Sequence, residues 1–315
     1  MTTVHERLRL GTAPDSWGVW FPDDPAQVPW QQFLDEAADA GYEWIELGPY
    51  GYLPTDPAQL ADELGRRGLQ LSGGAVFARL HRGAEALERA IEDCRQEARL
   101  LTALGARHLV LLPEGYTDLD GNITQPADLE PEQWEHLTGG LDELAKVIAD
   151  EFDVSLVFHP HADSHVGTQP EVERFLADTD PTLVNLCLDT GHIAYCHGDN
   201  LELIRRYPER IGYVHLKQVD PDVLRRVDEE ALCFAEAVRL GAMTEPPKGI
   251  PAMEPLVDAL ANLDVDLFAI VEQDLYPCEK DDPFPIAERT NQYLGACGLG
   301  PGSRWAAVIT ERHNS

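Results

Sequence analysis

Leu183-Val184-Asn185-Leu186-Cys187-Leu188-Asp189-Thr190-Gly191-His192 carries an apolar run straight into an Asp, a Gly-containing turn and a His. Buried strands usually give way to Gly, Asn, Pro or Ser at a turn, so a carboxylate and an imidazole at that point are unusual. The pattern recurs. Val154 to His159 ends at a histidine with His161 just beyond, Ile211–Leu216 carries His215 and is followed by Lys217, and Leu267 to Glu272 ends at a glutamate. Four successive strands that stop at His, Asp, His and Glu point to convergence on one site. A divalent cation is the simplest target common to those donors.

Outward from this stretch, short apolar segments alternate with amphipathic ones along the whole chain. Eight strands are expected, at Leu8–Ala13, Trp44–Leu47, Leu69–Val76, His108–Leu112, Val154–His159, Leu183–Asp189, Ile211–Leu216 and Leu267–Glu272. Helices are expected at 30–40, 57–67, 84–104, 131–150, 170–177, 201–207, 253–262 and 285–294. Gly41, Gly68 and Gly105 follow helical runs, where a left-handed cap residue is wanted, and Pro57, Pro131 and Pro170 open helices at positions whose N–H has no partner. The strands show little alternation, as in a parallel sheet covered on both faces. Eight β/α units specify an α/β fold, a single (β/α)8 TIM barrel of residues 8–297 within one domain of 1–315, leaving a tail at 298–315. A doubly wound open sheet is the runner-up, weakened because no GxGxxG follows the first strand.

Composition narrows the function. The formal net charge is −32, from 24 basic and 56 acidic residues, which repels a nucleic-acid backbone and suits a small substrate and metal cations. There is no apolar stretch long enough for a membrane span and no secretory h-region, so a cytoplasmic protein is expected, without nucleic-acid or membrane partners. The six cysteines form no CxxC pair and read as free thiols of a reducing compartment. GxSxG, Walker and HExxH motifs are missing, which leaves triad hydrolysis, P-loop chemistry and zincin proteolysis without support.

In a barrel the strand ends share one face, so His159, Asp189, His215 and Glu272 would surround one axial point as metal ligands. Two imidazoles and two carboxylates suit a divalent metal, with Mn or Co favoured because catalysis needs coordination to expand beyond four, and Mg, Fe or Zn as alternatives. His161 is a candidate acid–base or substrate-binding group, or the ligand in place of His159. His192 is a candidate proton donor, and Lys217 a binder of substrate oxygen or stabiliser of an enolate. After the first strand, Asp15, Ser16, Trp17, Trp20 and Phe21 offer hydroxyl-binding groups and an aromatic wall for a polyol; Glu46 and Glu114 are further candidates for substrate contact. Gly73-Gly74 is read as the end of the third strand. The loops at 113–126 and 217–266 are longer than a minimal barrel needs and are expected to cover the site.

LDTGH (188–192), VHLK (214–217) and VEQD (271–274) resemble the xylose-isomerase-like TIM barrels, a family of sugar isomerases, ketose epimerases and endonuclease IV. GTAPDSWGVWF (11–21), ELGPYGY (46–52) and FHPHAD (158–163) are similar to a dehydratase branch that removes water from 2-keto-myo-inositol. The resemblance spans about Leu10 to Leu294. It implies one divalent ion held by a fifth-strand residue with Asp189, His215 and Glu272. Members usually carry Glu at the fifth strand; here the position is His159. The epimerase base is therefore replaced, and the function falls to His159, His161 or Glu272.

The expected activity is that of a metal-dependent lyase, working on a small keto-polyol through an enediolate. A metal-dependent isomerase or epimerase shares the first half of that chemistry. A repair nuclease of the endonuclease IV type needs more His and Asp ligands and a basic face, and a non-catalytic sugar-binding barrel needs neither. A homodimer or tetramer is compatible with the aromatic opening segment.

Overall fold

The computed structural model describes residues 7–299; the N-terminal segment and nearly all of the tail at 298–315 lie outside the described residues. The barrel strands are β1 (Leu8–Thr12), β2 (Trp44–Pro49), β3 (Gln70–Ala78), β4 (His108–Pro113), β5 (Ser155–Phe158), β6 (Val184–Asp189), β7 (Ile211–Leu216) and, after a short pair β8 (Gln218–Val219) and β9 (Met243–Thr244), β10 (Leu267–Val271). Their order is β1-β10-β7-β6-β5-β4-β3-β2, with β1 also pairing β2, so the parallel sheet closes as the alternation of apolar segments indicated. Register brings strand ends together: Asp189 of β6 faces His215 of β7, and Val271 of β10 faces Leu216.

Helices α1 (Trp30–Asp39), α2 (Pro57–Arg67), α3 (Ala84–Ala103), α4 (Pro131–Phe152), α5 (Gln169–Asp178), α7 (Asn200–Arg206), α10 (Met253–Ala261) and α11 (Pro283–Ala296) are those the sequence called for. Their ends follow capping chemistry. Asp56 accepts from Gln59 N, Thr168 and Glu171 form a reciprocal box, and Gly68 closes α2 at φ 71°. Phe33 and Leu34 of α1 are fully buried against the barrel, each worth about 1.5–3 kcal/mol.

Three features differ from the sequence reading. Strand β3 runs to Ala78, so Gly73 and Gly74 lie in its middle; a Cβ on Gly74 would stand 2.0 Å from Glu97 Oε1, so the glycine makes room for a helix side chain. Thr190–Tyr195 forms a short helix, α6, capped by Asp189, where a turn was read. The excursion between β7 and β10 holds α8 (Pro221–Glu230) and α9 (Phe234–Arg239) beside the β8–β9 ladder. None of the described helices is long and apolar enough to cross a membrane, and all six cysteines are free.

Glu97, on α3, is buried against β3 with Oε1 unpartnered. Burial raises its pKa well above the usual carboxyl value; a hydrogen bond from Ala75 opposes the shift, while Glu46 and Asp93 add to it. The folded state therefore holds this proton at pH values where the unfolded chain has released it. Stability is then present in full below the unfolded carboxyl pKa and declines as pH rises above it. The Glu97→Gln variant is expected to gain melting temperature over the parent by several degrees at pH 8 and by much less at pH 5. A gain that does not grow with pH in thermal scans would refute the buried neutral acid.

Candidate metal centre and active site

One donor atom from each of His159, Asp189, His215 and Glu272 lies within 4.8 Å of every other. Cation–ligand distances of about 2.0–2.2 Å place opposed donors roughly 4 Å apart, so a small contraction closes this set on a metal. The elements explain the convergence. His159 follows β5, Asp189 ends β6, His215 is the penultimate residue of β7, and Glu272 follows β10. His159 Nε2 stands 3.3 Å from Asp189 Oδ2, and His215 Nδ1 stands 2.9 Å from Glu272 Oε2 and 3.7 Å from Asp189 Oδ2. Of these facing nitrogens, His215 Nδ1 is buried and makes no hydrogen bond despite its two carboxylate neighbours. An imidazole nitrogen so placed, with His159 Nε2 beside the same Asp189 oxygen, fits a divalent cation.

Glu46, 1% exposed, sits behind this cluster rather than at its mouth, with Oε2 3.0 Å from His215 Nε2. That arrangement leaves Nδ1 of His215 as the nitrogen turned to the donor set, the carboxylate–histidine pairing common behind metal ligands. If Glu46 orients His215, then Glu46→Gln weakens divalent-metal binding by about 10–100-fold. Chelator competition measures this directly, and an unaltered affinity would remove Glu46 from the centre.

Lys217 lies just past β7, and 2% of its side chain is exposed. Its Nζ is 2.8 Å from Asp274 Oδ2, 3.1 Å from Glu272 Oε2, 3.3 Å from Asp189 Oδ2 and 3.9 Å from Asp15 Oδ2. Gly191 lets the lysine pass, since a Cβ there would meet the Lys217 stem at 2.5 Å. Burial alone would lower the ammonium's pKa, but the four carboxylates outweigh it and hold the charge. Asp189 is held well below the usual carboxylate range: burial opposes the shift, while Lys217 and neighbouring histidines win.

His161 and His192 lie with ring centroids 4.0 Å apart and planes tilted by 36°, and Phe234 of α9 covers both at 5.1 and 4.9 Å. Asp163 ties this cover down by accepting from Phe234 N at 2.7 Å and from Thr117 Oγ1 at 2.8 Å, so the 217–266 excursion covers the two histidines and the 113–126 loop is anchored to the same carboxylate. Asp15 accepts from Trp20 Nε1 at 2.7 Å, while its Oδ2 stays buried and free of hydrogen bonds.

Trp17 departs from its expected place. It is fully buried, packs edge-on against Phe33 and donates its indole N–H to Glu36 at 2.7 Å, so it builds the cap of the barrel, not a wall for ligand. Trp20, partly exposed and stacked on Tyr276 at 5.1 Å, is the aromatic near the opening. Glu114 pairs with Arg79 and Arg82 away from the metal donors. Ser16 donates to Val271 O at 3.1 Å. Asp274 went unread as a site residue, although its place two residues past Glu272 carried the signal: alternate strand-end residues turn the same way. Phe234 had no sequence signal, because its contact with the histidines depends on how a long excursion folds back.

A closed parallel barrel with His, Asp, His and Glu at its strand ends defines a class of metal-type barrel enzymes acting at the C-terminal face. The profile of the xylose isomerase-like TIM barrel matches residues 34–292, and the chain belongs to that family. It is 33% identical over 296 residues to the inosose dehydratase of Geobacillus kaustophilus, covering 91% of this chain and 94% of that one. Against the inosose dehydratase of Geobacillus thermodenitrificans it is 30% identical over 300 residues, covering 93% and 98%. The fold is also similar to the crystal structure of the IOLI protein with a bound zinc atom, with a TM-score of 0.67, 16% identity and coverage of 92% and 98%.

Proposed function

We propose that the protein is a divalent-metal-dependent carbon–oxygen lyase that removes water from 2-keto-myo-inositol or a close relative of that keto-polyol. The observation that carries the reading is the His159–Asp189–His215–Glu272 donor cluster, in a chain similar over nearly its full length to inosose dehydratases. Those four residues would hold the metal, Mn or Co before Mg, Fe or Zn, because two nitrogen and two carboxylate donors with room for substrate favour five or six ligands. When bound, the cation supplies Lewis acidity toward the ketone and lowers the barrier to loss of the neighbouring proton.

The chain's own residues do the rest. Trp20 and Asp15 bound the site, with Asp15 Oδ2 free to accept from a hydroxyl. The ammonium of Lys217, fixed among carboxylates in a site nearly closed to water, donates to oxygen that gains negative charge. His161, partly exposed, and Glu272 would take the α-proton. His192, 1% exposed, would donate to substrate oxygen through Nε2.

The test is mass-resolved turnover of 2-keto-myo-inositol by protein stripped of metal and then reloaded with Mn, Co or Zn. A product lighter by one water, formed only with metal, is expected. Metal-dependent interconversion at unchanged mass would replace the lyase with an isomerase or epimerase, and no reaction would withdraw the substrate.

A further inference from the structure

Ala162 stands between His161 and His192 and touches both with its backbone. Its N–H donates to His192 Nδ1 at 3.1 Å. Its carbonyl oxygen lies 2.7 Å from His161 Nδ1. An amide N–H can only donate and a carbonyl can only accept, so the two rings cannot carry their protons on the same atom. His192 keeps a lone pair on Nδ1 and bears its proton on Nε2, 4.0 Å from Asp274 Oδ2; the Lys217 ammonium, 3.5 Å from the same nitrogen, can only donate and makes no hydrogen bond to it. His161 bears its proton on Nδ1 and keeps the lone pair on Nε2.

The two rings also differ in whether they can take a second proton. An imidazolium at His192 would set Nδ1–H against the Ala162 N–H, donor against donor, in a position 1% exposed. An imidazolium at His161 keeps its bond to the Ala162 carbonyl and gains a donor at Nε2. His161 is also the ring with access: Phe234 lies against both, but His161 is partly exposed where His192 is 1% exposed.

We infer that Ala162 sorts the pair into unlike roles: His161 is the proton shuttle of the reaction through Nε2, and His192 is a fixed neutral donor through Nε2–H. The shuttle role rests on the dehydratase reading; the sorting does not. In that reaction the C–H bond next to the ketone breaks, and its proton passes to His161 Nε2. Its electron pair forms a C=C bond while the carbonyl pair moves onto oxygen, which accepts from His192 Nε2–H. The oxygen pair then returns, a double bond forms to the β-carbon, and the β C–O bond breaks with its electrons on oxygen. The leaving oxygen takes the proton from His161 and departs as water, restoring the neutral ring.

Long-range proton–nitrogen NMR of 15N-histidine protein loaded with diamagnetic Zn or Mg reads each ring directly, with assignments from the His161→Gln and His192→Gln variants. The expected spectrum at pH 7 shows His161 protonated on Nδ1 and His192 on Nε2. The same tautomer in both rings, or an imidazolium at His192, overturns the sorting. In solvent D2O, His161→Gln is expected to lose α-hydrogen exchange by at least about 100-fold. His192→Gln, which retains an amide donor, should be restored several-fold relative to His192→Ala. Exchange in His161→Gln within tenfold of the parent overturns the shuttle. Opposite tautomers in a protein that turns over no keto-inositol overturn the dehydratase reading and the shuttle with it, while the sorting stands.

Discussion

Asp189→Asn is expected to weaken divalent-metal binding by on the order of 10²–10³-fold and to remove metal-dependent turnover at ordinary metal concentrations, while the helix beside it survives. The two oxygens of Asp189 have separate duties. Oδ1 accepts from His192 N at 2.7 Å and caps α6, a bond that the Asn carbonyl reproduces. Oδ2 faces His159, Lys217 and His215 at 3.3, 3.3 and 3.7 Å, and there an amide brings two donors and no charge. Removing one member of a buried charge cluster costs about 3–5 kcal/mol, close to the stated loss in affinity at about 1.4 kcal/mol per decade. Asp189→Ala removes the cap as well, so it should melt lower than Asp189→Asn by an amount that about 1 kcal/mol explains. Metal titration of Asp189→Asn with an affinity within tenfold of the parent would exclude Asp189 as a ligand.

The position of Asp189 also shows why so much of the site was legible in the chain. A parallel barrel strand has one functional end, and the apolar run before Asp189 fixes where that end falls. The same holds for His159, His215 and Glu272, so the four candidate donors could be read from four strand ends once eight β/α units were counted. Lys217 and Asp274 follow from alternation, each two residues beyond a candidate donor, although only the first was taken up. Trp17 shows the opposite. Its place beyond β1 suits either a ligand wall or a cap, and the deciding partner, Glu36 on α1, is set by packing that no local pattern records. Glu46 is a middle case: β2 delivers it to the right face, but only the 3.0 Å approach to His215 Nε2 shows that it stands behind a ligand. Tertiary contacts of loops, such as Phe234 over His161 and His192, have no periodicity to reveal them.

Lys217→Met is expected to move metal affinity and metal-free stability in opposite directions. The Nζ ammonium lies 3.1 Å from Glu272 Oε2 and 3.3 Å from Asp189 Oδ2, so it draws on two of the oxygens that would bind the cation. Without metal it is the charge that keeps Asp189, Glu272 and Asp274 tolerable inside the barrel mouth. A methionine of similar length removes that charge while filling the channel over Gly191. The metal-free variant should therefore lose about 3–5 kcal/mol of stability, seen as a fall in melting temperature. A cation entering the same variant no longer meets a positive charge a few ångströms away. At an effective dielectric near 20 that repulsion is worth on the order of several kcal/mol, so metal should bind at least about tenfold more tightly. Turnover should nonetheless fall by about 10²–10³-fold, because the charged donor to the developing oxyanion is gone and only the neutral His192 donor remains. Tighter binding with lost activity separates this role from a structural one, since a merely damaged site would bind metal less well. Chelator competition on Lys217→Met decides the sign: weaker binding than the parent would mean that the ammonium orders the donor set instead of competing for it.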